Sequence, residues 1–368
     1  MWAFLKNKKI RYLLIVLGIV GLVVLGFRTL ILTNERSQNW LVKQALGRVL
    51  ANQAQRAASY GGDNLDIVFC GTASPMGNTR RAQQCIAILA GDKFFIIDSG
   101  ARSTAKAGAA ALPFGRLDGV LLTHFHSDHI SSLGELHLAS WVQGRGQKLP
   151  VYGGAGVARI VDGFNMAYGP DYSYRTAHHG ETIMPSRVAG LVAHHFAVPK
   201  RGTQIIYQTD DFTISAFKVL HEPVRPAIGY RIDYKDRSVV ISGDTSKSEA
   251  VILASADADV LIHEVLQPEL VRMTSEVLKA NNNAPLAQLV TDTLDYHTSP
   301  VEAADIANRA NVDMLVFTHF APVPANELIE NIFLRGVEDV RPQGAVLADD
   351  GLYIRLPVGT DDIIIMDE

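Results

Sequence analysis

The hydrophobic positions along the chain follow two regimes. From Tyr12 to Phe27 an uncharged run reads YLLIVLGIVGLVVLGF, and apolar residues continue past Arg28 to Leu32. These 21 residues, 12–32, suffice to cross a ~30 Å hydrocarbon core at ~1.5 Å per residue. Lys6, Lys8, Lys9 and Arg11 precede the run, so the positive-inside rule keeps Met1 in the cytoplasm. Arg28 can snorkel to the far interface. A cleaved signal peptide would need an A-x-A-like site, and RTLILTNERSQ after Phe27 holds none. The pattern predicts a cytoplasmic segment over 1–11, an uncleaved single-pass anchor over 12–32 and a main body on the periplasmic, outer side. Residues 33–62 read as a stalk: Leu46, Val49 and Leu50 recur at helical spacing, and Gly61-Gly62 ends it.

From residue 63 onward short apolar runs alternate with helical patterns. Strands are predicted over 65–70, 84–90, 93–98, 118–122 and 149–153, then over 212–220, 228–234, 238–242, 258–263, 313–318 and 345–355. Helices are predicted over 130–142, 156–168, 246–254, 284–295, 300–310 and 325–335. The mixture suggests a layered α/β sandwich over 63–368. With 48% apolar and 20% charged residues and a net charge of −4, the composition excludes a disordered polyelectrolyte and a cysteine-rich scaffold. It offers no global attraction to nucleic acid. Cys70 and Cys85 flank adjacent predicted strands. A disulfide outside the cytoplasm and a pair of small buried side chains are both open.

One cluster dominates the chemistry. Leu121 to His129, LLTHFHSDH, follows a buried-type strand and enters a helix near Ile130. In extended chain, residues two apart face one side, so His124 and His126 can share one metal, while the turn points Asp128 and His129 towards a second. Imidazole and carboxylate donors suit zinc, with manganese or iron as alternatives. Three further candidates close apolar runs: His221 after AFKVL, Asp244 after SVVISG and His319 after MLVFT. In α/β sheets the carboxyl edge of the strands is where sites are commonly built, and a carboxylate at Asp244 can bridge two cations.

His124-x-His126-x-Asp128-His129, followed in order by His221, Asp244 and His319, resembles the metallo-β-lactamase superfamily over about 65–355. The resemblance implies a four-layer αββα sandwich behind the transmembrane helix. It implies one metal on His124, His126, His221 and Asp244, and a second on Asp128, His129, Asp244 and His319. Finer features are similar to the ribonuclease Z and arylsulfatase-like branch: FCGTASPMGNTRR at 69–81, Ile97-Asp98-Ser99-Gly100, Leu261-Ile262-His263-Glu264 and His297-Thr298-Ser299. By that likeness Asp98 and His263 stand behind the metal ligands and orient them. Glu264 holds His297, and His297 is the general acid. Asp128 orients the hydroxide formed from a water whose pKa two cations lower towards ~7. Cysteine does not stand at Asp244, nor glutamate at His126, which sets the chain apart from cysteine-ligand β-lactamases and di-iron oxygen reductases.

The likeness implies a membrane-anchored, binuclear hydrolase of phosphodiester or sulfate esters, with a small-molecule or polymer ester as substrate. A ribonuclease Z-like endoribonuclease for tRNA 3′ processing and a non-catalytic metal-binding envelope module are the alternatives. Motifs 263–266 (HEVL) and 297–299 (HTS) are incomplete, no Gly-Pro-rich arm is evident, and Val151-Tyr152-Gly153-Gly154 leads into a Tyr- and His-rich insert at about 160–200. With the outward topology and the net charge, these features argue against a nucleic-acid partner; a homodimer is left open. His178-His179 and His194-His195 read as surface or pocket-rim histidines. Tyr168, Tyr172, Tyr174 and Arg175 either line a pocket or pack the insert. The IIIM run at 363–366 reads as an edge strand or a tail.

Overall fold

A computed structural model describes residues 8–75 and 80–366. Lys6, Met1 and the Met76–Thr79 stretch of the 69–81 motif lie outside the described residues. The chain divides into two units, Met1–Ala58 and Ser59–Glu368. The apolar run forms α1 (Lys8–Thr33), and a second helix follows as α2 (Glu35–Ser59). Residues Tyr12–Thr33 have the length and composition of a membrane span. No residue of α2 is buried.

In the second unit β1 (Gly62–Gly71), β2 (Cys85–Gly91), β3 (Lys93–Ile97), β4 (Gly119–Leu121), β5 (Leu149–Gly153) and β6 (Leu191–His195) come first. β7 (Thr203–Gln208), β8 (Phe212–Lys218), β9 (Ile228–Tyr234), β10 (Arg237–Ile241), β11 (Val260–Leu266), β12 (Met314–Ala321) and β13 (Val346–Leu347) follow. β14 (Tyr353–Pro357) and β15 (Ile364–Met366) return to the first group. Two sheets result, ordered β15-β14-β1-β2-β3-β4-β5-β6 and β13-β12-β11-β10-β9-β8-β7. The helices are α3 (Ser103–Ala109), α4 (Ser127–Ile130), α5 (Leu133–Val142), α6 (Val157–His179), α7 (Glu249–Ala254), α8 (Pro268–Ala280), α9 (Ala284–Asp292), α10 (Pro300–Arg309), α11 (Glu327–Phe333) and α12 (Val337–Val340).

The longest apolar runs are continuous because their strands, such as β1, β2, β10 and β11, are buried on both faces. On β1, Leu65, Ile67 and Phe69 enter the core between the sheets with Ile214, Ile232, Ile262 and Val316. The alternate residues Val68 and Cys70 face the layer of α3, α5 and α6, meeting Ala107, Leu133 and Val161. Val240, Leu261 and Phe317 face α7, α10 and α12 through Val251, Ala303 and Val337. The four layers are those of an αββα sandwich. β8 and β10 are each antiparallel to β9, while β10, β11 and β12 run parallel. β8, β10, β11 and β12 therefore end at one edge.

The structure departs from the sequence expectations in instructive places. The predicted strand 345–355 is two strands in different sheets, because the chain crosses from one sheet to the other through Asp349-Asp350-Gly351. The helix predicted over 156–168 continues through Pro170 to His179. The pattern does not anticipate α8 or the short strands β6 and β7; of the two readings of 363–366, edge strand or tail, the edge strand forms, as β15.

Cys70 and Cys85 form a disulfide, with Cα atoms 4.9 Å apart, which selects between the two readings left open above. It closes a loop with a sequence separation of 15, a length at which a crosslink is worth about 3 kcal/mol through the unfolded chain. Replacing both residues by alanine should lower unfolding stability by about that amount and abolish the effect of added reductant, as measured by denaturant titration.

Candidate metal centre

The carboxyl edge of the parallel strands delivers the polar groups. The loop after β4 carries His124 and His126, and the first turn of α4 carries Asp128 and His129. His221 lies just beyond β8, Asp244 just beyond β10, and His319 within β12 near its end. Gly243 makes the Asp244 turn practicable: its φ is +61°, and a Cβ there would come within 2.5 Å of the Ile228 carbonyl oxygen.

These residues, scattered over nearly 200 positions, meet in two groups. His124, His126, His221 and Asp244 form one; Asp128, His129 and His319 form the other, and Asp244 also joins His297 and His319. The Oδ2 of Asp244 lies 3.4 Å from His129 Nε2, 3.5 Å from His319 Nε2, and 3.8 Å from the Nε2 atoms of His124 and His221. Asp128 Oδ2 lies 3.1 Å from His319 Nε2 and 3.4 Å from His129 Nε2. His124 Nε2 and His126 Nδ1 are 2.9 Å apart. Four donors at ~2.1 Å around one tetrahedral cation stand about 3.4 Å from each other. The separations of 3.4–3.8 Å suit ligands of a shared cation better than direct hydrogen bonds, while His124–His126 and Asp128–His319 are also within hydrogen-bond reach. Moreover, the Nε2 atoms of His129 and His221 are buried without a hydrogen-bond partner, which costs ~1–3 kcal/mol each unless something binds them. The donor set therefore fits divalent metal ions.

The electrostatics agree with that fit. Burial, aided by neighbouring imidazoles, pushes His124, His126 and His221 below their ordinary pKa, and the neutral ring is the form that ligates. Burial would raise Asp244 and Asp128, but the imidazoles around them outweigh it and hold both carboxyls ionised. At His129 burial is likewise overcome, by Asp244, Asp128 and Asp98, and the ring is driven well upward. A proton competes with a cation at that nitrogen, so metal binding there releases a proton.

Behind the ligands stands Asp98, completely buried. It accepts hydrogen bonds from the Thr123 N–H (2.9 Å), the Thr123 hydroxyl (2.8 Å) and His129 Nδ1–H (2.7 Å). The last contact turns His129 Nε2 towards Asp128 and Asp244. Both Asp98 and His319 hold left-handed backbone, with φ of 59° and 50°, strain of the kind concentrated at functional sites. On the far side, Glu264 Oε1 accepts the N–H groups of Thr245 (3.2 Å) and Thr298 (3.0 Å). Its Oε2 lies 3.1 Å from His297 Nδ1. Burial would lower His297, but the Glu264 carboxylate overrides it and the pKa rises to about 9. His263 donates from Nδ1 to the Glu264 carbonyl, and so braces backbone rather than orienting a ligand side chain.

Sequence reasoning missed Tyr296. Its carbonyl accepts His221 Nδ1–H at 3.1 Å, and its ring lies 5.1 Å from His221 and 4.9 Å from His297. Its one sequence signal is adjacency to His297. The ring also lines a 240 Å³ cavity with Ser74, Pro75, Asp128 and Leu289. Thr72 and Arg81 of the 69–81 motif act at a distance from the ligands: Thr72 bonds Asp350, and Arg81 bonds Thr72 and the Ala348 carbonyl. His178, His179, His194 and His195 are exposed outside the cluster. Tyr168 packs on Gly134, where a Cβ would come within 2.3 Å of its ring, Tyr172 packs on His137 and Trp141, and Arg175 pairs with Asp171. Three of the four insert residues thus have packing or pairing roles, and Tyr174 is exposed.

Replacing Asp98 by Asn should weaken metal retention roughly 10–100-fold, since His129 would lose its carboxylate partner. Competition against a chelator with metal analysis measures this, and undiminished retention would refute the positioning role.

The chain matches the family model described as Beta-lactamase superfamily domain over residues 96–320. It is 36% identical over 261 residues to Ribonuclease Z of Mycobacterium bovis (strain BCG / Pasteur 1173P2), covering 70% of this chain and 86% of that protein. Ribonuclease Z of Mycobacterium tuberculosis (strain ATCC 25177 / H37Ra) is 34% identical over the same shares. Among solved structures, the metallo-β-lactamase fold protein YhfI from Bacillus subtilis aligns with a TM-score of 0.57 at 21% identity, over 79% of this chain and 99% of that one. Human tRNase Z, short form, aligns with a TM-score of 0.56 at 20% identity, over 80% and 100%; these two likenesses show the fold. The expectation against a nucleic-acid partner is overturned by the ribonuclease Z relatives. Its error was physical: a net charge of −4 is an average over the whole surface, whereas recognition is local. By its family match and its mycobacterial relatives, the chain belongs to the metallo-β-lactamase superfamily, in the ribonuclease Z branch.

Proposed function

We propose that the chain is a binuclear metal-dependent phosphodiesterase acting on RNA. The observation that carries this reading is His297, held by Glu264, lining the same cavity as the metal-ligand candidates His126, Asp128, His221, Asp244 and His319, in a chain whose curated relatives are named Ribonuclease Z. His124, His126, His221 and Asp244 would hold one ion and Asp128, His129, His319 and Asp244 the other, zinc first, with manganese or iron as substitutes. Such ions supply, when bound, an acidified water and positive charge against the phosphate.

The chain's own groups do the rest. The Asp128 carboxylate, kept ionised by His129 and His319, orients the attacking water and accepts its proton. His297, with Nδ1 turned to Glu264, presents Nε2–H to the departing oxygen and protonates it as the P–O bond breaks. Thr245 and Thr298 hold Glu264 through their N–H groups, so the acid is aimed by backbone.

The same proposal includes the location. Residues 12–32 anchor the protein, 33–62 form a stalk, and the catalytic domain, 63–368, works outside the cytoplasm. Lys8, Lys9 and Arg11 ahead of the span support this orientation, and the Cys70–Cys85 disulfide suits an oxidising compartment. In that setting the RNA is whatever reaches the outer face, and precursor tRNA is a test substrate. Reporter fusions at residues 5 and 60 give the topology.

Purified protein with zinc should cleave precursor tRNA and bis(4-nitrophenyl) phosphate. His297→Ala should slow RNA cleavage about 10²–10⁴-fold and leave the aryl diester largely unaffected, since nitrophenolate departs without a proton. Equal losses on both substrates, or no RNA cleavage by the wild type, would reject this assignment.

The pH profile gives a second check. A raised pKa favours the imidazolium, so acid catalysis is present below the His297 pKa and is lost as pH rises through it. The alkaline limb for RNA should lie at or below about 9, because nearby dications push the ring down. Glu264→Gln removes the partner that raises it and should move this limb towards ~6.5.

A further inference from the structure

Outside the metal centre, α5 and α6 enclose a group of hydrogen-bond donors that lack acceptors. His137 and Trp141 lie on α5, Arg145 follows that helix, and Tyr172 lies on α6. The rings of His137, Trp141 and Tyr172 stand 4.7–5.9 Å apart. His137 is 0%, Trp141 1% and Arg145 3% exposed.

Each donor assignment is constrained. His137 Nε2 accepts the Gly190 N–H at 2.6 Å, so the ring carries its proton on Nδ1. Burial and the Arg145 charge push this histidine down to about 3, and it stays neutral. Arg145 Nε donates to the Ser140 hydroxyl at 3.0 Å, but both terminal guanidinium nitrogens are buried without a partner. Trp141 Nε1, Tyr172 Oη and His137 Nδ1 are in the same position. Among the described residues no carboxylate forms an ion pair with Arg145, and Asp171 on α6 is paired with Arg175 at 2.8 Å.

A buried guanidinium whose charge acts on His137 and which interacts electrostatically with Tyr172, with no carboxylate paired to it, is among the least favourable arrangements a protein interior can hold. Buried polar groups without partners point to a bound species. We propose that Arg145, Trp141, Tyr172 and His137 hold a small inorganic anion of the halide class, chloride under ordinary conditions, between α5 and α6. One negative charge matches the single guanidinium. A spherical ion needs no donors in return, which suits surroundings where Met184, Val188 and Ala189 pack with Trp141. Phosphate would bring more charge and more oxygens than these groups can meet.

The nest is coupled to the loop that carries His129. The Ser132 N–H, at the start of α5, donates to the Ser99 carbonyl, and the Ser99 N–H to the His129 carbonyl. An anion that ties α5 to α6 steadies that loop from behind. This inference stands apart from the proposed reaction, since it is read out in stability and bound anion rather than in turnover.

The test is thermal unfolding of the full chain in detergent, with sodium chloride or bromide exchanged against sodium gluconate at fixed ionic strength. The midpoint should rise saturably with either halide by about 3 °C or more. Trp141→Phe, which keeps an aromatic ring but removes the indole N–H, should weaken the halide response, and Arg145→Met should abolish it. In crystals grown with bromide, anomalous density should lie within hydrogen-bond distance of Arg145 and Trp141. A wild-type midpoint indifferent to halide, a response unchanged in both variants, or an ordered water in place of bromide would overturn the proposal. The wild-type titration and the bromide crystal decide it even if Arg145→Met fails to fold.

Discussion

A carboxylate, 4% exposed, has the Nε2 atoms of four histidines within 3.8 Å of one oxygen. Asp244 is the constraint on which the rest of the centre depends. Burying a carboxylate costs several kcal/mol unless positive charge surrounds it, and burying several imidazoles together leaves nitrogens without partners. Divalent cations bound there would answer both demands at once. The fold must then deliver residues from the β4 loop, β8, β10 and β12 to one point, and it does so because those strands of the second sheet run the same way and end at the same edge.

Around that point the supporting contacts are mostly backbone or buried carboxylate. Asp98 is locked by Thr123 and turns His129, while the Tyr296 carbonyl turns His221. Glu264 is held by two N–H groups and holds His297. Such contacts leave few rotamers open, so the ligand atoms are placed before any ion arrives, and less conformational freedom is lost on binding. The left-handed backbone at Asp98 and His319 shows that this placement is favoured over local ease.

The cavity wall is less constrained by the sandwich. Leu289, Thr293 and Tyr296 come from the segment spanning α9 and the turn before His297, and Pro75 from the loop after β1. These elements sit outside the sheets and can vary without disturbing the core, as loops on a rigid scaffold commonly do.

Much of this was legible in one dimension. The continuous apolar runs announced strands covered on both faces, and the His-x-His-x-Asp-His spacing announced a metal site, because ligands that lie close in sequence on a turn are constrained to lie close in space. His221, Asp244 and His319 were visible as polar residues closing apolar runs. What sequence could not show was set by long-range partners. The sulfurs of Cys70 and Cys85 meet only because β1 pairs with β2. Residues 346–357 divide between two sheets according to what each strand lies beside. Tyr296 acts through a carbonyl, which every residue possesses, so its type carries no signal. Local pattern reports which faces a segment must bury; only packing decides against what, and so decides which distant side chains share a charge, a proton or an ion.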